Sequence, residues 1–296
     1  MRRIRLLLLS LLIGLSSVLW WAAPAAAQAT PAVSYYLSLG DSLAQGVQPL
    51  GPGGANTITD TGYPDQLLPL LQQTDPSLQL VKIGCPGEST TSMLDQGQAI
   101  AGCVAGIFPQ YGGARSQLDA ARWFMNQHPG AVRYLTVDIG ANDVVGCLLP
   151  TGVDPTCLQK GVTAISANLP VILSTLQGAL RATGQHPKLS GMTYYDPGLG
   201  FWSINQQVAT QSVGYLTLVN GVEAVGYLRA GLRVAPVAAA FQTYTFSTAP
   251  GASRPVNVEQ VCTLTWMCTP GVPPNIHAKD AGYELIADTF GRTLRW

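Results

Sequence analysis

The chain predicts an α/β fold, with a parallel sheet covered by helices on both faces. Two observations carry that expectation. Five short apolar runs recur along the sequence, at Tyr35–Leu39, Leu78–Ile83, Tyr134–Ile139, Leu189–Tyr194 and Leu232–Val237. Segments with helical spacing of apolar residues separate them. Short, mainly apolar runs of this length suit strands buried on both faces, and alternation with helices implies right-handed crossovers.

The helical segments are legible one by one. Tyr63–Gln73 carries Leu67, Leu68, Leu70 and Leu71, and Ala114–Gln127 puts Leu118, Ala121 and Met125 on one face. Gln159–Arg181 repeats Ile165, Leu169, Ile172, Leu173, Leu176 and Leu180. Ser203–Ala230 is only loosely periodic and is interrupted by Gly214, Gly221 and Gly226. Lys279–Arg292 turns Ala281, Leu285, Ile286 and Phe290 inward. Pro49–Gly62 is rich in Gly, Pro and Thr, and reads equally as a surface loop or a substrate entrance.

The first 27 residues have the layout of a secretory signal peptide: a basic start (Arg2, Arg3, Arg5), an apolar stretch from Leu6 to Trp21, and Ala-x-Ala sites ending at Ala27 and Ala29. Cleavage there leaves 28–296 as a single domain, secreted to the extracellular space. No second apolar run reads as a membrane span. Beyond residue 27 the chain has 13 Lys and Arg against 16 Asp and Glu, a net charge of −3. Such a chain has no electrostatic footprint for nucleic acid, and a monomer is expected.

Six cysteines remain: Cys85, Cys103, Cys147, Cys157, Cys262 and Cys268. An even count in an exported chain points to disulfides. Nearest-neighbour pairing is expected, because Cys85–Cys103, Cys147–Cys157 and Cys262–Cys268 each close a short loop between elements. No C-x-x-C pair occurs, so neither a metal nor any other cofactor is expected.

Gly40-Asp41-Ser42 directly follows the first apolar run. It displays a serine at the carboxyl end of a strand, where α/β sheets bind their ligands. A serine hydroxyl needs an imidazole to take its proton, and only three histidines are present. His128 and His186 sit in Gln-His-Pro and read as solvated loop residues, which leaves His277 as the base. Gly87 offers a backbone N–H with no Cβ in the way, and Asn142 in Gly140-Ala141-Asn142-Asp143 offers an uncharged side-chain donor. The aromatic stretch Tyr194–Trp202 is placed to wall a pocket, and Asp41 and Asp138 read as bracing residues.

Gly40-Asp41-Ser42, Gly87, Gly140-Ala141-Asn142-Asp143 and His277 together resemble the conserved blocks of the SGNH/GDSL hydrolase family, in the family's order. No Gly-x-Ser-x-Gly elbow is found beyond the signal segment. The resemblance implies a flavodoxin-like three-layer α/β/α sandwich with a five-stranded parallel sheet. It also implies an esterase, lipase or lysophospholipase acting on small-molecule or lipid esters. A carbohydrate O-deacetylase and a non-catalytic binding protein of the same fold are the alternatives. By position, Ser42 is nucleophile and first oxyanion donor, Gly87 and Asn142 are the other donors, and His277 is the base. The family's aspartate three residues before the histidine is replaced here by Pro274. A main-chain carbonyl at or near Pro274 is therefore expected to hold His277 Nδ1–H, with Asn275 or another acid as alternatives. On this reading Asn275→Ala and Asp280→Ala each leave substantial turnover, whereas His277→Ala loses nearly all of it.

Overall fold

The computed structural model describes residues 33–94 and 97–295. The signal-peptide expectation, including both cleavage sites, falls on residues outside this set. Five strands form one sheet: β1 (Ser34–Gly40), β2 (Leu78–Lys82), β3 (Val132–Asp138), β4 (Lys188–Met192) and β5 (Arg233–Ala235). Their order is β2-β1-β3-β4-β5, and every pairing is parallel. The sheet turns outward from β1 in one direction and from β3 in the other, so the crevice between these two carboxyl ends is the natural ligand site.

Six longer helices accompany the sheet: α1 (Tyr63–Gln72), α2 (Gln117–Gln127), α3 (Pro155–Ala182), α4 (Gln206–Arg229), α5 (Val256–Leu264) and α6 (Asp280–Leu294). α1 and α6 cover one face, where Tyr36, Tyr134 and Met192 pack on Tyr63, Leu67, Ile286 and Phe290. Tyr63 stacks on Phe290 with ring centroids 5.0 Å apart. On the other face Leu37, Leu39, Leu135 and Val137 meet α2 and α3, with Val219 and Tyr227 of α4. Each sheet residue thus chooses its core by the two-residue alternation of a strand. A third, smaller cluster joins Leu199, Phe201, Val213, Val258, Val261 and Met267.

Several sequence expectations change. α4 is continuous through Gly214, Gly221 and Gly226. Gly226 is where Leu169 of α3 approaches, since a Cβ there would lie 2.7 Å from Leu169 Cδ2. α3 is long and apolar enough to span a bilayer by length and composition, although no such run was expected beyond the signal. Here its Ile165–Leu169–Ile172–Leu176–Leu180 stripe is buried on the sheet. α5 lies in a stretch without clear periodicity and was not foreseen. Pro49–Gly62 is an anchored loop: it forms a short antiparallel ladder, and Lys82 Nζ donates to Thr59 O at 2.8 Å. His128 is half-buried rather than solvated, its ring 4.7 Å from Tyr35 and 4.4 Å from Phe124, while His186 is exposed.

The cysteines pair as Cys85–Cys103, Cys147–Cys157 and Cys262–Cys268. Tyr63 of α1 stacks on the fully buried Phe290 of α6, so Phe290→Ala should lower the unfolding free energy by about 3–5 kcal/mol, measured by urea denaturation.

Candidate active site

The carboxyl ends of β1 and β3 meet with no space to spare. Gly40 has φ +141°, and a Cβ on it would lie 2.2 Å from the Asp138 carbonyl. Only glycine fits there. Gln117, at the start of α2, clamps this turn: Gly40 N–H donates to its Oε1 at 2.6 Å, and its Nε2 donates to Gly40 O at 2.8 Å and to Glu88 Oε2 at 3.0 Å. The Asp41 carboxylate accepts the Leu43 N–H at 2.8 Å and the Tyr194 hydroxyl at 2.9 Å. Ser42 is thereby set at the head of a closed turn, its own carbonyl accepting from Gln45 N and Val47 N.

The second and third motifs are tied together. Gly87 has φ +85°, in a loop anchored by Cys85 N–H donating to Gly40 O. Asn142 Nδ2 donates to Glu88 O at 3.0 Å, next to Gly87 in sequence. The Asp143 carboxylate accepts both the N–H and the hydroxyl of Thr90, each at 2.8 Å. α3 presses on this turn from outside, since a Cβ on Gly161 would lie 2.2 Å from Asp143 O.

His277 is held from the opposite side. Its carbonyl accepts the Trp266 N–H at 3.0 Å, the Tyr195 hydroxyl donates to Ile276 O at 2.5 Å, and Lys279 N–H donates to Leu264 O. The Cys262–Cys268 bridge braces this neighbouring segment. The ring partner corrects the sequence expectation of a main-chain carbonyl near Pro274. His277 Nδ1 is 2.7 Å from Asn275 Oδ1, which also accepts the His277 backbone N–H at 3.0 Å. With the backbone N–H fixing that atom as an acceptor, Nδ1 carries the proton and Nε2 is left with its lone pair. Asn275 Nδ2 in turn donates to Asn56 Oδ1 at 2.7 Å, so the Pro49–Gly62 loop reaches the histidine. Asp280 accepts from Gln48 Nε2 and Thr61 Oγ1, each at 2.7 Å, a loop-bracing role.

Ser42, Asn142 and His277 line one cavity, together with Asp41 and Tyr194–Pro197. Gly87 is not among its lining residues. Ser42 and His277 are each 8% exposed. No hydrogen bond joins the Ser42 hydroxyl to the His277 ring among the described residues; such catalytic contacts often close only with substrate bound. The rest of the wall is mostly apolar, with Leu43, Val144, Leu148, Val153, Leu158 and Leu216 prominent beside Ser212 and Tyr215, and no Lys or Arg among the described residues lines it. Of the aromatic stretch after β4, Tyr194, Tyr195 and Pro197 face the cavity, whereas Phe201 packs into the third cluster.

Burial sets the charges. It pushes His277 down to about 4, so the ring is neutral at pH 7. It raises Asp41 to about 6, against the bonds from Leu43 and Tyr194 that favour the carboxylate. Asp138 is raised well above the usual range, first by burial and then by the neighbouring Asp41, and its Oδ1 accepts the Tyr63 hydroxyl at 2.5 Å. Both aspartates brace the turn, as the sequence suggests. Gln117 and Asn56 carry no motif signal. Asn275 is a polar residue two positions before the histidine, and only its side-chain conformation shows its use.

No protein-family model matches the sequence, and no curated protein matches it either. Solved structures do. An extracellular lipase from Streptomyces rimosus matches with a TM-score of 0.55 and 16% identity, over 88% of this chain and 100% of that one. A phospholipase A1 from Streptomyces albidoflavus NA297 matches with a TM-score of 0.53 and 17% identity, again over 88% and 100%. The protein has the three-layer α/β/α fold of the SGNH hydrolases.

Three outcomes follow from the histidine's environment. Asn275→Ala should lower kcat about 10-fold, the value of one buried hydrogen bond of about 1.4 kcal/mol, reversing the expectation of dispensability. A neutral ring that must accept a proton loses activity as pH falls through its folded pKa, so the acid limb of kcat/KM should lie near 4. Asn275→Asp favours the imidazolium and should move that limb upward, as read from pH–rate profiles.

Proposed function

We propose that the protein is an exported SGNH/GDSL serine hydrolase that cleaves carboxylic esters through an acyl-enzyme on Ser42. One observation carries this reading: Ser42, Asn142 and His277, from segments far apart in sequence, line a single apolar cavity, with His277 neutral and its Nδ1 engaged. In the proposed reaction Ser42 Oγ attacks the ester carbonyl as its proton passes to His277 Nε2. The tetrahedral oxyanion takes hydrogen bonds from Ser42 N–H and Asn142 Nδ2, with Gly87 N–H assigned as a third donor by its motif position alone. The intermediate collapses, and the imidazolium returns the proton to the departing alkoxide. A water activated by the same ring then hydrolyses the acyl-enzyme.

The cavity supports a substrate class. Its apolar wall favours an aliphatic acyl chain, at roughly 0.8 kcal/mol per buried methylene. Asp41 and Asp196, with no cation opposite, disfavour an anionic acyl group. Six cysteines in three bridges support an oxidising, extracellular location for the domain.

A fluorophosphonate probe should label the wild type at Ser42 and leave Ser42→Ala unlabelled; a folded, oxidised wild type that takes no label would sink the enzymatic reading. p-Nitrophenyl octanoate should be turned over with higher kcat/KM than p-nitrophenyl acetate, and acetylated xylan should be the poorest substrate. Asn142→Ala should cost about 10²–10³ in kcat, and His277→Ala at least about 10².

A further inference from the structure

Glu223, in α4, is wholly buried, and neither carboxyl oxygen has a hydrogen-bond partner among the described residues. It sits behind the third motif. A Cβ on Gly140 would lie 2.3 Å from Glu223 Oε1, so the carboxyl occupies the space that a side chain on Gly140 would fill. Gly140 itself has φ +131°, a conformation that L side chains rarely adopt. Two residues later Asn142 faces the cavity.

We propose that Glu223 is a positioning residue, which holds the Gly140-Ala141-Asn142 turn from behind and so fixes the Asn142 donor. The catalytic part of this inference rests on the function proposed above. The turn is gripped on three sides. Asp143 is tied to Thr90, Asn142 to Glu88 O, and α3 abuts the Asp143 carbonyl at Gly161. The fourth side, under Gly140, is Glu223. A glycine in this conformation has no side chain to pack, so what rests against its Cα decides how far it can swing.

The group acts as a neutral acid. The titratable groups around it are Asp41, Asp143, Tyr194 and Tyr227, none of them a cation. An unpaired carboxylate in that place would be strongly disfavoured. Burial accordingly raises Glu223 well above the ordinary range, with Asp41 and Asp143 adding to the shift. The sign of the linkage follows. An acid protonated in the folded chain but ionised in the unfolded one makes stability fall as pH rises above the ordinary glutamate value. Glutamine has the same shape and cannot ionise.

The test uses the full, oxidised chain with Glu223→Gln and Glu223→Ala, read by three measurements. Amide hydrogen exchange in the 139–144 segment should quicken about 10-fold or more in Glu223→Ala and return to the wild-type rate in Glu223→Gln, with α1 and α6 unchanged. The melting temperature of Glu223→Gln relative to wild type should climb between about pH 5 and about pH 8. With a p-nitrophenyl ester, Glu223→Ala should lower kcat about 10-fold with KM little changed, and Glu223→Gln should restore it. The proposal is overturned if Glu223→Ala exchanges at the wild-type rate in 139–144, or if wild type and Glu223→Gln share one pH dependence of melting. An inactive wild type would remove the hydrolase reading, while the exchange and melting data would still decide the role of Glu223 in the turn.

Discussion

The reactive edge depends on how closely β1 and β3 end beside one another. Gly40 can pass the Asp138 carbonyl only because it lacks a side chain, and the Asp41 N–H then donates to that same carbonyl at 3.1 Å. From this crossing the chain leaves the sheet at a fixed angle, and Ser42 is presented two residues later. Gln117 and Tyr63 from two helices, and Tyr194 from the segment after β4, fasten the crossing. Every one of these partners is buried, so the bonds are made where water cannot compete for them.

The histidine reaches the same cavity by a different logic. It lies on an irregular stretch before α6, where no strand fixes its position. Side-chain and covalent ties replace the sheet: Asn275 on the ring, Tyr195 on the adjoining carbonyl, Trp266 on the backbone and a disulfide behind. A neutral amide in the orienting position sets the tautomer without adding charge. The ring therefore keeps the low basicity that burial imposes. A carboxylate would raise it.

Much of this was readable in the residues. β1 and β3 announce themselves as mostly apolar runs followed by glycine, because buried parallel strands need apolar side chains on both faces and a tight exit. Ser42, Asn142 and His277, which the structure brings to one cavity, could be proposed because the chemistry of ester cleavage admits few residue types and this chain offers only three histidines. Asn275 could be named only as one alternative partner for His277, and Gln117 and Glu223 could not be named at all. The use of Asn275 depends on its side-chain rotamer, and that of Gln117 and Glu223 on neighbours 29 or more residues away, which no local spacing encodes. α4 was doubtful for a related reason: its three glycines weaken the helical pattern, and at Gly226 the close packing against Leu169 that accounts for the glycine is a tertiary fact.

The three disulfides share a location. Cys85 lies two residues before Gly87, Cys147 is in the cavity wall, and Cys262–Cys268 flanks the segment that carries His277. They span separations of only 18, 10 and 6 residues, so they restrain their own loops far more than the chain as a whole. Order in this molecule is accordingly two-tiered. The sheet rests on its two apolar cores, whereas the rim that carries Ser42, Asn142 and His277 is also stapled by the bridges. Reduction would slacken the rim while the scaffold beneath stayed folded.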